Sequence, residues 1–137
     1  MRTLILHFLD TKNTKHSGIL KNLEKSAVDN GHQVDIFNGN LDSVDNLHPI
    51  VYEYIAVVTT SPNFIGAKLP PKLTEILSSA GNFSGKKGCA FVVKSGLSSN
   101  KTIHLLMKEL EKQGMCLDYF DIIESIDHAA ASGKKIG

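Results

Sequence analysis

The sequence predicts a doubly wound α/β domain, a five-stranded parallel sheet with helices on both faces. Three observations carry that expectation. Short apolar runs alternate five times with segments of helical period. Two of the runs, YIAVVTT and GCAFVVK, are nearly continuous in apolar residues, as strands covered on both faces are. The helical segments each carry one apolar stripe. Such alternation builds right-handed crossovers between parallel strands. The 137 residues show no internal repeat, low-complexity stretch or linker, so one domain over residues 1–137 is expected.

The strands are expected at residues 4–9, 33–38, 54–60, 88–94 and 117–125. The first helix, residues 15–30, places Ile19, Leu20, Leu23 and Ala27 on one face and Lys21, Glu24, Lys25 and Asp29 on the other. Gly31 is its expected stop. Residues 70–80 repeat the pattern with Leu73, Ile76 and Leu77, and open on a proline pair suited to a first turn. Residues 100–113 do so again, with Asn100 as N-cap, Ile103, Leu106, Met107 and Leu110 inward, and Gly114 as terminator. Residues 41–51 read as a weak helix at best, and residues 128–136 as the start of a brief final one.

Composition excludes several partners. The net charge of +1 gives no electrostatic case for nucleic acid or an anionic membrane. No apolar stretch approaches the roughly 20 residues that span a bilayer, and the first residues do not read as a signal peptide. A soluble, cytoplasmic protein, monomeric or weakly dimeric, is expected. Cys89 and Cys116 make no disulfide framework and read as two small buried residues. The six histidines are scattered without metal-ligand spacing, so no metal site is expected. His7 reads as a satisfied core residue and His16 as a surface one. Lys86-Lys87 and Lys134-Lys135 read as solvated.

In open parallel sheets ligands sit beyond the carboxyl ends of the strands, where the strand order reverses. For the order 2-1-3-4-5 that point lies between the first and third strands. The loops that reach it are residues 9–15, 59–68 and 94–100, all rich in Ser, Thr, Asn and Gly. Their residues exclude familiar chemistries. The third strand ends in Thr59-Thr60-Ser61, without the carboxylate of a phosphate-accepting receiver. No glycine precedes Gly18, so the dinucleotide fingerprint is missing. The stretch from Gly81 to Lys86 is too short for a P-loop and precedes a strand, so it reads as a turn.

The loops resemble those of the flavodoxin family in its short-chain form, in order and spacing along the whole chain. Leu9-Asp10-Thr11-Lys12-Asn13-Thr14 is similar to that family's phosphate signature, S-x-T-G-N-T. Thr60-Ser61-Pro62-Asn63-Phe64-Ile65-Gly66, followed by Leu69-Pro70-Pro71, is similar to the loop beside the flavin ring. NFSGKKGCAFVVKSG, residues 82–96, is similar to the Gly-Lys-Lys lead into the fourth strand and the next flavin-side loop. The resemblance implies a flavodoxin-like three-layer sandwich with a five-stranded parallel sheet in the order 2-1-3-4-5. It further implies flavin mononucleotide (FMN) as cofactor. Thr11, Asn13 and Thr14 would hold its phosphate, within a loop lined also by Asp10 and Lys12. Thr60, Ser61, Pro62, Asn63, Phe64 and Ile65 would flank the ring on one side, and Ser95, Gly96 and Leu97 on the other. No catalytic residue is implied.

Two positions depart from the signature. Leu9 stands where it has a hydroxyl, and Lys12 where it has glycine. Losing one charge-assisted hydrogen bond costs about 1.5–3 kcal/mol. A lysine forced into left-handed backbone costs roughly 1–2 kcal/mol. Together these predict a loss of roughly two to four decades of affinity, and predict that replacing Lys12 by glycine tightens binding. Attraction of the phosphate by Lys12 and repulsion by Asp10 largely cancel. The expected function is FMN-dependent electron transfer between redox partner proteins, as a carrier or reductase component rather than a stand-alone enzyme. The alternative is a binding or regulatory module that keeps the fold without the flavin.

Overall fold

A computed structural model describes residues 1–60, 69–96 and 98–137. The strands are β1 (Arg2–His7), β2 (Gln33–Asn38), β3 (Tyr54–Thr60), β4 (Lys87–Val93) and β5 (Cys116–Ile123). All neighbours pair in parallel, in the order β2-β1-β3-β4-β5. Between them run α1 (Thr14–Asp29), α2 (Pro71–Ala80) and α3 (Ser99–Lys112), with α4 (Ile126–Gly133) after the last strand. Among the described residues no helix is long and apolar enough to cross a membrane.

Successive strand side chains point to opposite faces, so each central strand feeds two cores. Leu4, Leu6, Val57 and Val92 pack with Leu73 and Leu77 of α2 and Ile103, Leu106 and Leu110 of α3. Ile5, Ala56, Val58 and Phe91 pack on the opposite face with Ile19, Leu23 and Ala27 of α1 and Ala129 of α4. The expected inward set of the first helix, Ile19, Leu20, Leu23 and Ala27, is its buried set. Of the set expected in the third helix, Met107 is only partly buried, at the margin of its core.

Side-chain bonds lock α1 to α4. Asn22 Nδ2 donates to the Ile126 carbonyl (2.9 Å), Ser26 Oγ to that of Ala130 (2.7 Å), and Asn30 Nδ2 to that of Lys134 (2.9 Å). Donors and acceptors both advance by four residues, so each helix presents one face to the other with the chains running the same way. The approach depends on small residues. A Cβ on Gly133 would lie 2.8 Å from the Ser26 Cβ and 3.0 Å from the Leu23 carbonyl oxygen.

Several local expectations change. Residues 41–51 hold two 3-10 turns, Val44–Asn46 and Pro49–Val51, because a Ser43 cap and Pro49 restart the chain before a helix can propagate. The third helix is capped at Ser98, which leaves Asn100 in its first turn. The last helix starts at Ile126, because Ser125 Oγ accepts from the His128 N–H (3.0 Å). Lys86 is half-buried rather than solvated, its ammonium donating to the carbonyls of Ile50 (3.3 Å) and Tyr52 (2.6 Å). Lys135 lies over the Tyr119 ring, 5.9 Å from its centroid. Cys89 is buried, but Cys116, first residue of an edge strand, is exposed.

Candidate functional site

The carboxyl ends of β1, β3 and β4 are neighbours in the sheet, so their loops leave along one edge. β1 ends formally at His7, yet the burial of its face continues: Phe8 and Leu9 are 4% and 1% exposed. Phe8 joins the α2/α3 core, and Leu9 joins Ile5 and Ile19 on the other face. The Leu9 side chain is a core anchor, so at this position the loop offers no side-chain donor.

From Asp10 the chain is exposed, and the backbone N–H groups divide into two sets. The first set is bonded within the loop. Leu9 N–H donates to His7 Nδ1 (3.2 Å) and Asp10 N–H to His16 Nδ1 (3.2 Å). Lys12 N–H donates to the Asp10 carboxylate (3.0 Å), and Asn13 N–H to the Asp10 carbonyl (3.0 Å). Asn13 is the N-cap of α1, its side-chain oxygen accepting from the His16 N–H (3.1 Å). The second set comprises Thr11, Thr14 and Lys15. Among the described residues their N–H groups have no protein partner, nor have the hydroxyls of Thr11 and Thr14.

Lys12 overturns an expectation. Asn82 is the only non-glycine described residue with a positive φ. Lys12 therefore adopts ordinary backbone, and the strain predicted for a lysine in a glycine position is not there. The Asp10 carboxylate turns the chain by accepting the Lys12 N–H, which replaces left-handed backbone with a side-chain turn.

The two imidazoles at the loop are held neutral. Burial pushes the pKa of His7 down to about 4, against a weaker pull upward from Asp42. Burial also lowers His16, with Asp10 opposing and Lys15 assisting. In each ring Nδ1 accepts a backbone N–H, so the proton of the neutral ring sits on Nε2. His7 is thus the satisfied core residue expected, while half-buried His16 is part of the loop rather than a free surface side chain.

Two hollows flank the loop. One of about 350 Å³ opens toward the end of β2, lined by Leu9–Lys12 together with Asn38, Asn40 and Leu41. The other, about 330 Å³, runs along the first turns of α1, past Thr14, Ser17 and Lys21. At the end of β3, Thr60 is half-buried and its hydroxyl donates to the Val93 carbonyl (3.2 Å), tying the tips of β3 and β4 together. Beyond β4, Ser95 is exposed with its N–H donating to Ser99 Oγ (3.2 Å), and Gly96 turns with φ +65°. Ser61, Pro62, Asn63, Phe64, Ile65 and Leu97, expected beside the ring, lie outside the described residues. The carboxyl edge therefore carries Asp10, Thr11, Lys12, Asn13, Thr14, Thr60, Ser95 and Gly96. Sequence reasoning placed His16 at the surface and missed Asp10 as a turn acceptor, although an Asp side chain that bonds the N–H two residues on is a recognisable turn signal.

Solved structures with this architecture span the chain from end to end. A flavodoxin of Megasphaera elsdenii superposes with a TM-score of 0.74 at 15% identity, over 96% of this chain and 98% of its own. The chain has the flavodoxin fold. A flavodoxin of Bacillus cereus gives 0.70 at 16% identity, over 97% and 95% of the two chains. An archaeal flavodoxin gives 0.68 at 16% identity, over 98% and 94%. No family model and no curated protein sequence matches the chain. The likeness lies in the sheet order and the helix layers, which set the β1–α1 loop at the switch point of a flavodoxin fold.

The open donors of this loop point to an anionic group. Three N–H groups and two hydroxyls without partners, at the positive end of a 16-residue helix, suit a phosphate monoester. The carboxylate of Asp10 in the same turn opposes it. The described loop residues fit a phosphate group, with one acidic exception.

Proposed function

We propose that this protein binds FMN at the carboxyl edge of its sheet and carries electrons between redox partner proteins. The observation that carries the reading is the open donor set of the β1–α1 loop, at the switch point of a flavodoxin fold. The N–H groups of Thr11, Thr14 and Lys15 and the hydroxyls of Thr11 and Thr14 would hold the phosphate. Asn13 and His16 would keep the donors in place by bonding the rest of the turn. By family resemblance, residues 60–65 and 95–97 would flank the ring. When bound, the flavin supplies the electron chemistry, and the protein supplies orientation and electrostatics.

The Lys12 backbone is unstrained, so the penalty expected from that departure disappears, while the hydroxyl that Leu9 lacks still costs about 1.5–3 kcal/mol. That loss and the Asp10 charge together place the expected affinity at roughly micromolar. The test is a titration of the purified protein with FMN, followed through flavin fluorescence and its absorption at about 450 nm. Saturable quenching with a micromolar Kd supports the reading. Unchanged spectra at millimolar FMN overturn it and favour the second reading, a flavodoxin-fold binding module whose loop is closed by its own carboxylate. That reading draws on the Lys12 N–H···Asp10 bond. The protein is further proposed to act in the cytoplasm as a single domain, a monomer or weak homodimer.

A further inference from the structure

We infer that Asp10 is a built-in competitor for the ligand's phosphate and sets the site's preference between phosphorylated and unphosphorylated flavin. The inference rests on the FMN reading above. The Asp10 carboxylate accepts the Lys12 N–H at 3.0 Å, in the middle of the turn whose neighbouring donors, Thr11 and Thr14, have no partner. It is exposed, so nothing packed around it fixes this role for the core. A phosphate seated on the open donors would approach a carboxylate of like charge, and could take the Lys12 N–H only by displacing it. The neighbouring groups offset this only in part, because the His16 imidazole is held toward its neutral form and the exposed Lys12 ammonium makes no bond to Asp10.

A phosphate monoester carries nearly two negative charges near neutral pH. At roughly 5 Å through water-like dielectric, its repulsion by one carboxylate corresponds to about tenfold in affinity. Unphosphorylated flavin brings no such charge. Asp10 therefore lowers FMN binding and leaves riboflavin binding alone, which narrows the gap between the two ligands.

The experiment titrates FMN and riboflavin separately into the wild type, Asp10→Asn and Asp10→Ala. Asparagine keeps an oxygen for the Lys12 N–H and removes only the charge. Alanine removes both, and thermal melting checks that each variant is folded. The expected result is FMN binding about tenfold tighter in Asp10→Asn and also tighter in Asp10→Ala, with riboflavin unchanged within about twofold in both. Equal FMN affinity in all three proteins overturns the competitor role and leaves the FMN reading standing. Riboflavin tightening as much as FMN also overturns it, since the effect would then be one of loop shape. Neither flavin binding to any of the three overturns the FMN reading and the inference together.

Discussion

Acidification should weaken the fold through His7, and the size of the effect follows from its surroundings. The ring is 1% exposed, and its Nδ1 accepts the Leu9 N–H. Protonation would place a charge in the core and set two N–H donors face to face. Burial accordingly holds the pKa at about 4, against 6.5 for a free imidazole. Between those values the unfolded chain binds a proton that the folded chain refuses, so stability is fully present above about pH 6.5 and falls with pH toward 4. The gap corresponds to about 3 kcal/mol, nearly all of it lost by pH 4. Urea unfolding at pH 7, 5.5 and 4 would measure the loss in the wild type and in His7→Asn, whose amide oxygen can still accept the Leu9 N–H. All other groups are common to both proteins, so the difference between the two pH profiles isolates His7. The wild type should lose about 3 kcal/mol more than the variant between pH 7 and 4. Parallel profiles would refute the argument that burial and the Leu9 donor keep this ring neutral.

Three further outcomes test other parts of the structure. Lys12→Gly should not tighten FMN binding, because Lys12 needs no left-handed backbone; losing an exposed cation should weaken it about threefold, and tightening would refute this loop geometry. Gly133→Ala should destabilise by roughly 1–3 kcal/mol in urea unfolding, since its methyl meets the Leu23 backbone. Gly18→Ala should cost less, because its methyl meets only the mobile end of the Ile126 side chain, and the reverse ranking would contradict the α1–α4 packing. A thiol reagent should modify exposed Cys116 in the native protein but reach Cys89 only on unfolding, as burial pushes the Cys89 thiol up to about 12. Two equally fast thiols would refute the burial of β4.

Most of the sheet was legible because burial leaves strong periodic signals. β2 and β3 fall at the expected residues, and the buried stripe of α1 is the one read from its spacing. Local exceptions came from side chains that override propensity, such as the Ser125 cap and the Lys86 ammonium on two carbonyls. Leu9 shows why the site was harder to read. Motif alignment marked it only as a position without the signature's hydroxyl, whereas the period-two pattern through Ile5, His7 and Leu9 placed its side chain in the core. Packing decided in favour of the period, because a buried leucine contributes about 1.5–3 kcal/mol wherever the loop leads. Asp10 was legible as a charge but not as a hydrogen-bond acceptor, since that role depends on where the turn carries the Lys12 N–H.

The division of donors in the β1–α1 loop has a consequence for how the loop holds its shape. Leu9 and Asp10 N–H groups end on neutral imidazoles, Lys12 on a carboxylate, and His16 on the Asn13 cap. All four acceptors are side chains of the loop and its flanks, so these four donors are satisfied before any anion arrives. Ligand binding to such a loop has little backbone ordering to offset, and its affinity reflects the open donors against the Asp10 charge. The two groups of residues then act separately. Changes at His7 or His16 alter the stability of the turn and its dependence on pH, while changes at Asp10 alter the charge that an anion meets. A loop organised by its ligand would couple the two, with Asp10→Asn loosening the turn and weakening every ligand alike. Amide exchange at Leu9 and Asp10 separates these cases, because protection in the absence of flavin should be unchanged by Asp10→Asn and lost on acidification.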